Sequence, residues 1–272
     1  MHMKNHLVNL EEENICIIGV EARNITTHST FFAHQEKMVL SSASCIKLFF
    51  AGAILEAIHK KNLSLSSTLL VEPSHFVPGA SILADLKTPE MRIDDLLYYL
   101  LAHSDTTAQN TLEQLISPQE VNEYIQRHGY SGTTFLSKNN PTKTVFPSTT
   151  PHDAVTFMER LWDGETFEPE ARTLILTYLA QSRHTHFGLR HLPTSLNMKK
   201  PIISERYSKA GKVHHTVNDT VILKTTKGVV SIGVFVDNFV ATENFNSVDN
   251  KGILLVSDIT RDLFTEWYQS VT

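Results

Sequence analysis

Apolar runs are short in this chain of 272 residues. None reaches 18 in a row, so no membrane-spanning helix is expected. Cysteine is scarce: Cys16 and Cys45 alone cannot build a disulfide framework. There is no basic block and no interleaving of aromatic with basic residues. With 24 Lys and Arg against 29 Asp and Glu, the formal net charge of -5 gives nucleic acid nothing to hold. The opening stretch MHMKNHLVNLEEEN has no apolar core of the kind a secretory leader needs, which points to the cytoplasm unless a leader has been removed. Internal repeats and low-complexity segments are also missing. What is plentiful is histidine, fourteen in all. Yet HTHFGLRH (184–191) and HH (214–215) match no HExxH pattern and have no Cys or carboxylate at ligand spacing, so neither a metal nor a cofactor is expected.

A hydrophobic share of 41% over this length suffices for one large domain or one globule of two lobes. NICIIGVEA (14–22) reads as a buried strand, with STFFAHQ (29–35) as its hairpin partner. From Ser44 to about Lys60 the apolar positions Ile46, Phe50, Ala53, Ile54, Ala57 and Ile58 recur at helical spacing. Leu48 and Phe49 fall off that stripe, so this helix should be buried almost all round. Further helical patterns cover 92–102, 107–116, 118–128, 152–162 and 168–181, whereas 129–151 is polar, contains proline and has no period. TVILKTT and VVSIGVFVD flank Lys227-Gly228 as an antiparallel hairpin, with Val230, Ile232, Val234 and Val236 on one face. A helix over 250–269 closes the chain. The expected fold is α+β: one antiparallel sheet built from both termini, flanked by helices, with an inserted all-helical lobe. We read 1–272 as a single domain whose sheet lobe is 1–61 with 202–272 and whose helical lobe is 62–201. A cleft between the lobes is where a small-molecule site should form.

Three short motifs carry chemistry. Of 22 serines, Ser44 alone has lysine at the third following position, Lys47. Residues i and i+3 of a helix share a face, so the amine can reach the hydroxyl and take its proton. The helix N-terminus adds partial positive charge for a developing oxyanion. The second motif, Ser104-Asp105-Thr106 in HSDTTAQN, lies just after an apolar helix. The third, Lys209-Ala210-Gly211, is the one Lys-x-Gly in the chain and leads into a turn before the next strand. Each also has a plain structural meaning: a helix cap and a snorkelling lysine at Ser44 and Lys47, an N-cap at Ser104-Asp105 and an edge-strand charge at Lys209. Cys45, a rival thiol nucleophile beside Ser44, reads as a small buried hydrophobe.

Ser-x-x-Lys, Ser-Asp-Asn and Lys-Thr-Gly, in that order, mark the class A β-lactamase and penicillin-binding-protein superfamily, and this sequence resembles it over most of its length. VLSSASCIKLFFAGAIL is similar to the stretch around that family's nucleophile, LLYYLLAHSDTTAQNTLEQLI to its Ser-Asp-Asn helix-loop-helix, and SKAGKVHHTVNDTVIL to its Lys-Thr-Gly strand. The resemblance implies that Ser44 is acylated, that Lys47 accepts or relays its proton, and that Ser104 passes a proton to the leaving nitrogen. It implies that Lys209 supplies positive charge to Ser104 and to a substrate carboxylate, and that Gly211 lets the strand approach the substrate closely. The oxyanion hole would be the N–H groups of Ser44 and Lys212. Asp105, Thr106, Ala210, Gly211 and Lys212 would contact substrate, and a lysine held near Lys209 and partly desolvated should be a stronger acid than usual.

Three departures stand out. Thr106 replaces the motif's Asn. Ala210 replaces its Thr, removing a hydrogen bond to a substrate carboxylate of about 1.5–3 kcal/mol. From Tyr124 through His152 there is no Asp or Glu, where class A enzymes carry the base that activates the deacylating water; the polar residues there include Lys138, Asn139, Asn140 and Lys143. The expected function is a β-lactamase-like serine hydrolase with slow or altered deacylation. The alternatives are a peptidase or esterase of penicillin-binding-protein type, and a sensor that binds without turnover.

Overall fold

The computed structural model describes residues 2–86, 89–136, 146–193, 202–239 and 247–271. In chain order its elements are α1 (His2–Asn14), β1 (Ile17–Asn24), β2 (Ser29–His34), β3 (Leu40–Ser41), α2 (Ile46–Lys60), β4 (Thr68–Leu70), α3 (Ile82–Leu86), β5 (Glu90–Arg92) and α4 (Ile93–Ala102). They continue with α5 (Thr106–Leu112), α6 (Pro118–Arg127), β6 (Ser148–Thr149), α7 (Pro151–Asp163), α8 (Pro169–Ala180), β7 (Ile203–Val213), β8 (Thr216–Thr225), β9 (Gly228–Asp237) and α9 (Lys251–Ser270).

The period-2 pattern of the C-terminal strands produces the centre of the molecule. The five-stranded sheet has the order β2-β1-β9-β8-β7, every neighbour antiparallel, so strands from both ends of the chain meet where β1 pairs with β9. Val230, Ile232, Val234 and Val236 face one way and bury against Ile253, Val256, Ile259, Leu263 and Trp267 of α9, the stripe expected from the sequence. Full burial of each such side chain is worth about 1.5–3 kcal/mol. Asn250 starts α9 by accepting from the amides of Gly252 (3.0 Å) and Ile253 (3.4 Å). The sequence reading had no helix for the mostly polar N-terminus, but Leu7 of α1 is fully buried in this same layer.

The second core gathers the helices. α2 is buried from Ile46 through Leu55, because both its stripe and its off-stripe residues are apolar. Phe49 packs edge-on against Tyr130 (ring centroids 5.0 Å apart) and Phe157 (5.2 Å), and Phe50 stacks on Phe135 at 5.1 Å. The packing departs from the expected lobes in one respect: α2, assigned by sequence to the sheet lobe, lies in the helical core with α4 and α6. The short pairs β4–β5 and β3–β6 and the helix α3 were not expected; each is two to five residues long and carries no readable period. No helix of the described residues is long and apolar enough to cross a membrane.

Candidate active site

Ser44 sits in a single 3₁₀ turn, Ala43–Cys45, that feeds directly into α2. Ala43 has φ +43°, a left-handed conformation that turns the chain sharply before the hydroxyl. The Cys45 amide closes the turn on the Ser42 carbonyl at 2.9 Å. β7 presses against this turn. A Cβ built on Gly211 would lie 2.5 Å from the Ser44 nitrogen and 3.0 Å from the Cys45 nitrogen, so glycine is required there. The sequence reading assigned this glycine to an approach to substrate; the close contact present in the structure is with the Ser44 turn.

Lys47 stands one helical turn along and is buried. Its Nζ donates to the Ser104 carbonyl and lies 3.4 Å from the Ser104 hydroxyl and 3.3 Å from the Thr106 hydroxyl. Thr106 thus meets this lysine despite replacing asparagine. Either hydroxyl can rotate to donate instead, so the pocket around Nζ suits a charged or a neutral amine. Ser104 occupies the break between α4 and α5, with φ +57°. The Asp105 amide donates back to the Tyr99 carbonyl at 3.0 Å, and the Asp105 carboxylate caps α5 through the Ala108 amide at 2.9 Å. That carboxylate also accepts from Ser81 Oγ (2.7 Å) and the Leu83 amide (3.1 Å), pinning the start of α3 to this turn.

Lys209 is fully buried on β7. Its Nζ donates to Ser104 Oγ at 2.9 Å and to the Ala210 carbonyl at 2.8 Å. Burial pushes its ammonium down to about 8, although the nearby Cys45 and Asp219 favour the charged form. Asp219, on β8, is pushed up to about 6 by burial while accepting from Ser208 Oγ (2.9 Å) and the Gly188 amide (2.9 Å). Cys45 behaves as expected of a packed side chain: it is buried, its thiol donates to the Lys209 carbonyl at 3.1 Å, and burial raises it to about 12.

These elements surround a cavity of about 980 Å³. Ser44, Lys47, Ser104, Thr106, Ala210, Gly211 and Lys212 all line it. Asp105 and Lys209 are not on its wall: the first is engaged within the turn, and the second lies behind Ser104, to whose hydroxyl it donates. The sequence reading missed Ile82, Asp85, Arg183, His184 and His186 as further lining. None belongs to a periodic stretch, and the histidines had been weighed only against metal patterns. From the acid-free stretch, Leu136, Phe146 and Pro147 reach the cavity; Lys138, Asn139, Asn140 and Lys143 fall outside the described residues.

The profile of the beta-lactamase enzyme family matches residues 3–267. The chain belongs to that family. Among curated proteins, a β-lactamase of Rhodobacter capsulatus is 28% identical over 166 residues, 58% of this chain and 56% of that protein. The β-lactamase regulatory protein BlaB of Streptomyces cacaoi is 31% identical over 97 residues, 35% of this chain and 31% of that one. The chain thus spans about half of the first and a third of the second. Proteins of known structure share its fold. The β-lactamase of Sphaerobacter thermophilus DSM 20745 superposes with a TM-score of 0.83 at 22% identity, covering 96% of this chain and 95% of that one. PBP-A gives 0.84 at 18% identity, covering 99% and 97%.

Proposed function

We propose that this chain is a serine hydrolase that forms an acyl-enzyme on Ser44 with a β-lactam or a related amide or ester, and releases it slowly. The observation that carries this reading is the meeting of Lys47 and Lys209 on one hydroxyl, Ser104 Oγ, beside the turn that holds Ser44. Lys47, as the neutral amine, takes the Ser44 proton while Oγ bonds to the substrate carbonyl carbon. The C–N bond then breaks; Ser104 gives its proton to the departing nitrogen and regains one from Lys47. The proton that left Ser44 ends on the nitrogen, and both lysines finish as they began. The backbone amides of Ser44 and Lys212 receive the oxyanion, and the Lys209 charge keeps Ser104 polarised.

Release of the acyl group needs a base for water. A positioned base contributes about 10² to 10⁴ in rate, and the stretch 124–152 supplies no carboxylate. Intact-mass spectrometry after mixing with penicillin G tests both halves. A covalent adduct on Ser44 that persists over minutes is expected; its absence, or its loss within milliseconds, sinks the corresponding half.

The same bare stretch favours a second reading, a peptidase or esterase of penicillin-binding-protein type whose natural acyl group differs from penicillin. Faster turnover of D-alanyl peptides or p-nitrophenyl esters than of nitrocefin would select it.

A further inference from the structure

The histidine-rich segment between α8 and β7 matches no metal pattern, yet it borders the cavity and crosses to the Ser104 turn at two consecutive residues. The Arg183 amide donates to the Ala102 carbonyl at 2.9 Å, and His184 Nε2 lies 3.1 Å from the His103 carbonyl. A carbonyl only accepts, so Nε2 carries the hydrogen. The segment is itself anchored to the sheet layer: the Gly188 amide donates to Asp219 at 2.9 Å, and Ser257 Oγ donates to the Phe187 carbonyl at 2.8 Å.

The residue after that carbonyl is Ser104, whose left-handed conformation is unfavourable for any residue but glycine. Its carbonyl and hydroxyl are held by Lys47 and Lys209, the two groups whose protons and charge the reaction itself uses. Those restraints change as the protons move. The bond from His184 does not, since burial, with the Lys209 charge nearby, pushes its imidazole down to about 4 and keeps it neutral throughout.

We infer that His184 is a positioning residue, which fixes the His103–Ser104 turn so that the Ser104 hydroxyl points at the departing nitrogen. This rests on the reading above that Ser104 protonates that nitrogen.

Two acylating probes separate this role from a merely structural one. Penicillin G needs a proton on its leaving nitrogen. A fluorophosphonate does not: Ser44 Oγ bonds to phosphorus, fluoride departs and Lys47 keeps the proton. In His184→Ala, acylation by penicillin G should slow about tenfold to a hundredfold, the scale of a displaced reacting group, with fluorophosphonate labelling unchanged. His184→Gln, whose amide N–H can donate to the same carbonyl, should recover most of the loss. Both rates are read on one preparation, so a misfolded fraction lowers the amplitude and not the ratio. Equal slowing with both probes, full penicillin rate in His184→Ala, or no recovery in His184→Gln overturns the assignment. Ser104→Ala is the control. If it shows the split and His184→Ala does not, the positioning role alone fails. If Ser104→Ala shows no split, the leaving-nitrogen reading fails and takes this inference with it.

Discussion

Two stretches of the cavity wall differ in how much chemistry they hold. Where the Ser44 turn, the Ser104 turn and β7 meet, Lys47 and Lys209 share the Ser104 hydroxyl, Lys47 also reaches the Thr106 hydroxyl, and the buried Asp219 favours the charge on Lys209. Along 124–152, the described residues that reach the cavity are Leu136, Phe146 and Pro147, none of which can accept a proton. The nearest carboxylate beyond, Asp153, is buried and accepts from Thr133 Oγ (2.7 Å) and the Gly132 amide (2.9 Å). Making an acyl-enzyme and destroying it are separable tasks; on the proposed function the first stretch serves the making, and Asp85 is the carboxylate among the described residues that line the cavity.

That contrast can be broken at its equipped end. Lys47→Ala should lower the rate of Ser44 acylation by penicillin G about 10²- to 10⁴-fold, the contribution of a positioned base. Stopped-flow mixing with mass detection reads the rate; a loss below threefold would mean that another group takes the proton.

Furnishing the bare end sharpens it. Leu136→Glu places a carboxylate on that wall, and the adduct should then decay at least about tenfold faster, at the low end of what a base supplies when its geometry is imperfect. The acylation rate should hardly move. An adduct lifetime equal to that of the parent would show that the missing acid is not what slows release.

A smaller change concerns the hydroxyl absent at Ala210. Ala210→Thr restores a donor on the cavity wall. Carboxylate-bearing inhibitors should bind about 1.5–3 kcal/mol more tightly, and their methyl esters should gain much less. Titration calorimetry with each acid and ester pair gives the difference directly.

The mildest test is pH. Lys209 must be charged to polarise Ser104, so acylation should fall as pH rises through about 8. Asp219 favours that charge, so Asp219→Asn should move the alkaline limb to lower pH. A limb that stays fixed in this variant would assign it to another group.

Much of this was legible in the sequence, for reasons that differ by element. α2, α4, α7, α9 and the β8–β9 hairpin show strong periods, because each packs one consistent face or, for α2, every face. Ser44, Lys47, Ser104 and Thr106 meet at one cavity because they lie at or beside the ends of α2, α4 and α5, while Ala210, Gly211 and Lys212 reach it from within β7. Asp105 was read as both a cap and a substrate contact, but the structure engages its carboxylate with Ser81, Leu83 and Ala108. The contact from His184 to the His103 carbonyl spans 81 residues and links two irregular segments, which no periodicity reports. α1 was obscured because few of its residues are apolar, although Leu7 is completely enclosed.

The all-round burial of α2 also bears on how such a protein changes over time. A helix with no solvent-facing stripe through most of its length admits few substitutions without disturbing its neighbours; Lys47 rides on its first turn, and Ser44 sits in the short turn that feeds it. The pair to which the proposed function gives the chemistry is therefore mounted on the part of the molecule least free to drift. New acyl preferences have to arise at the exposed outer ring, at Ile82, Asp85, Phe146 and Arg183, where side chains can be exchanged while the engine behind them stays as it is.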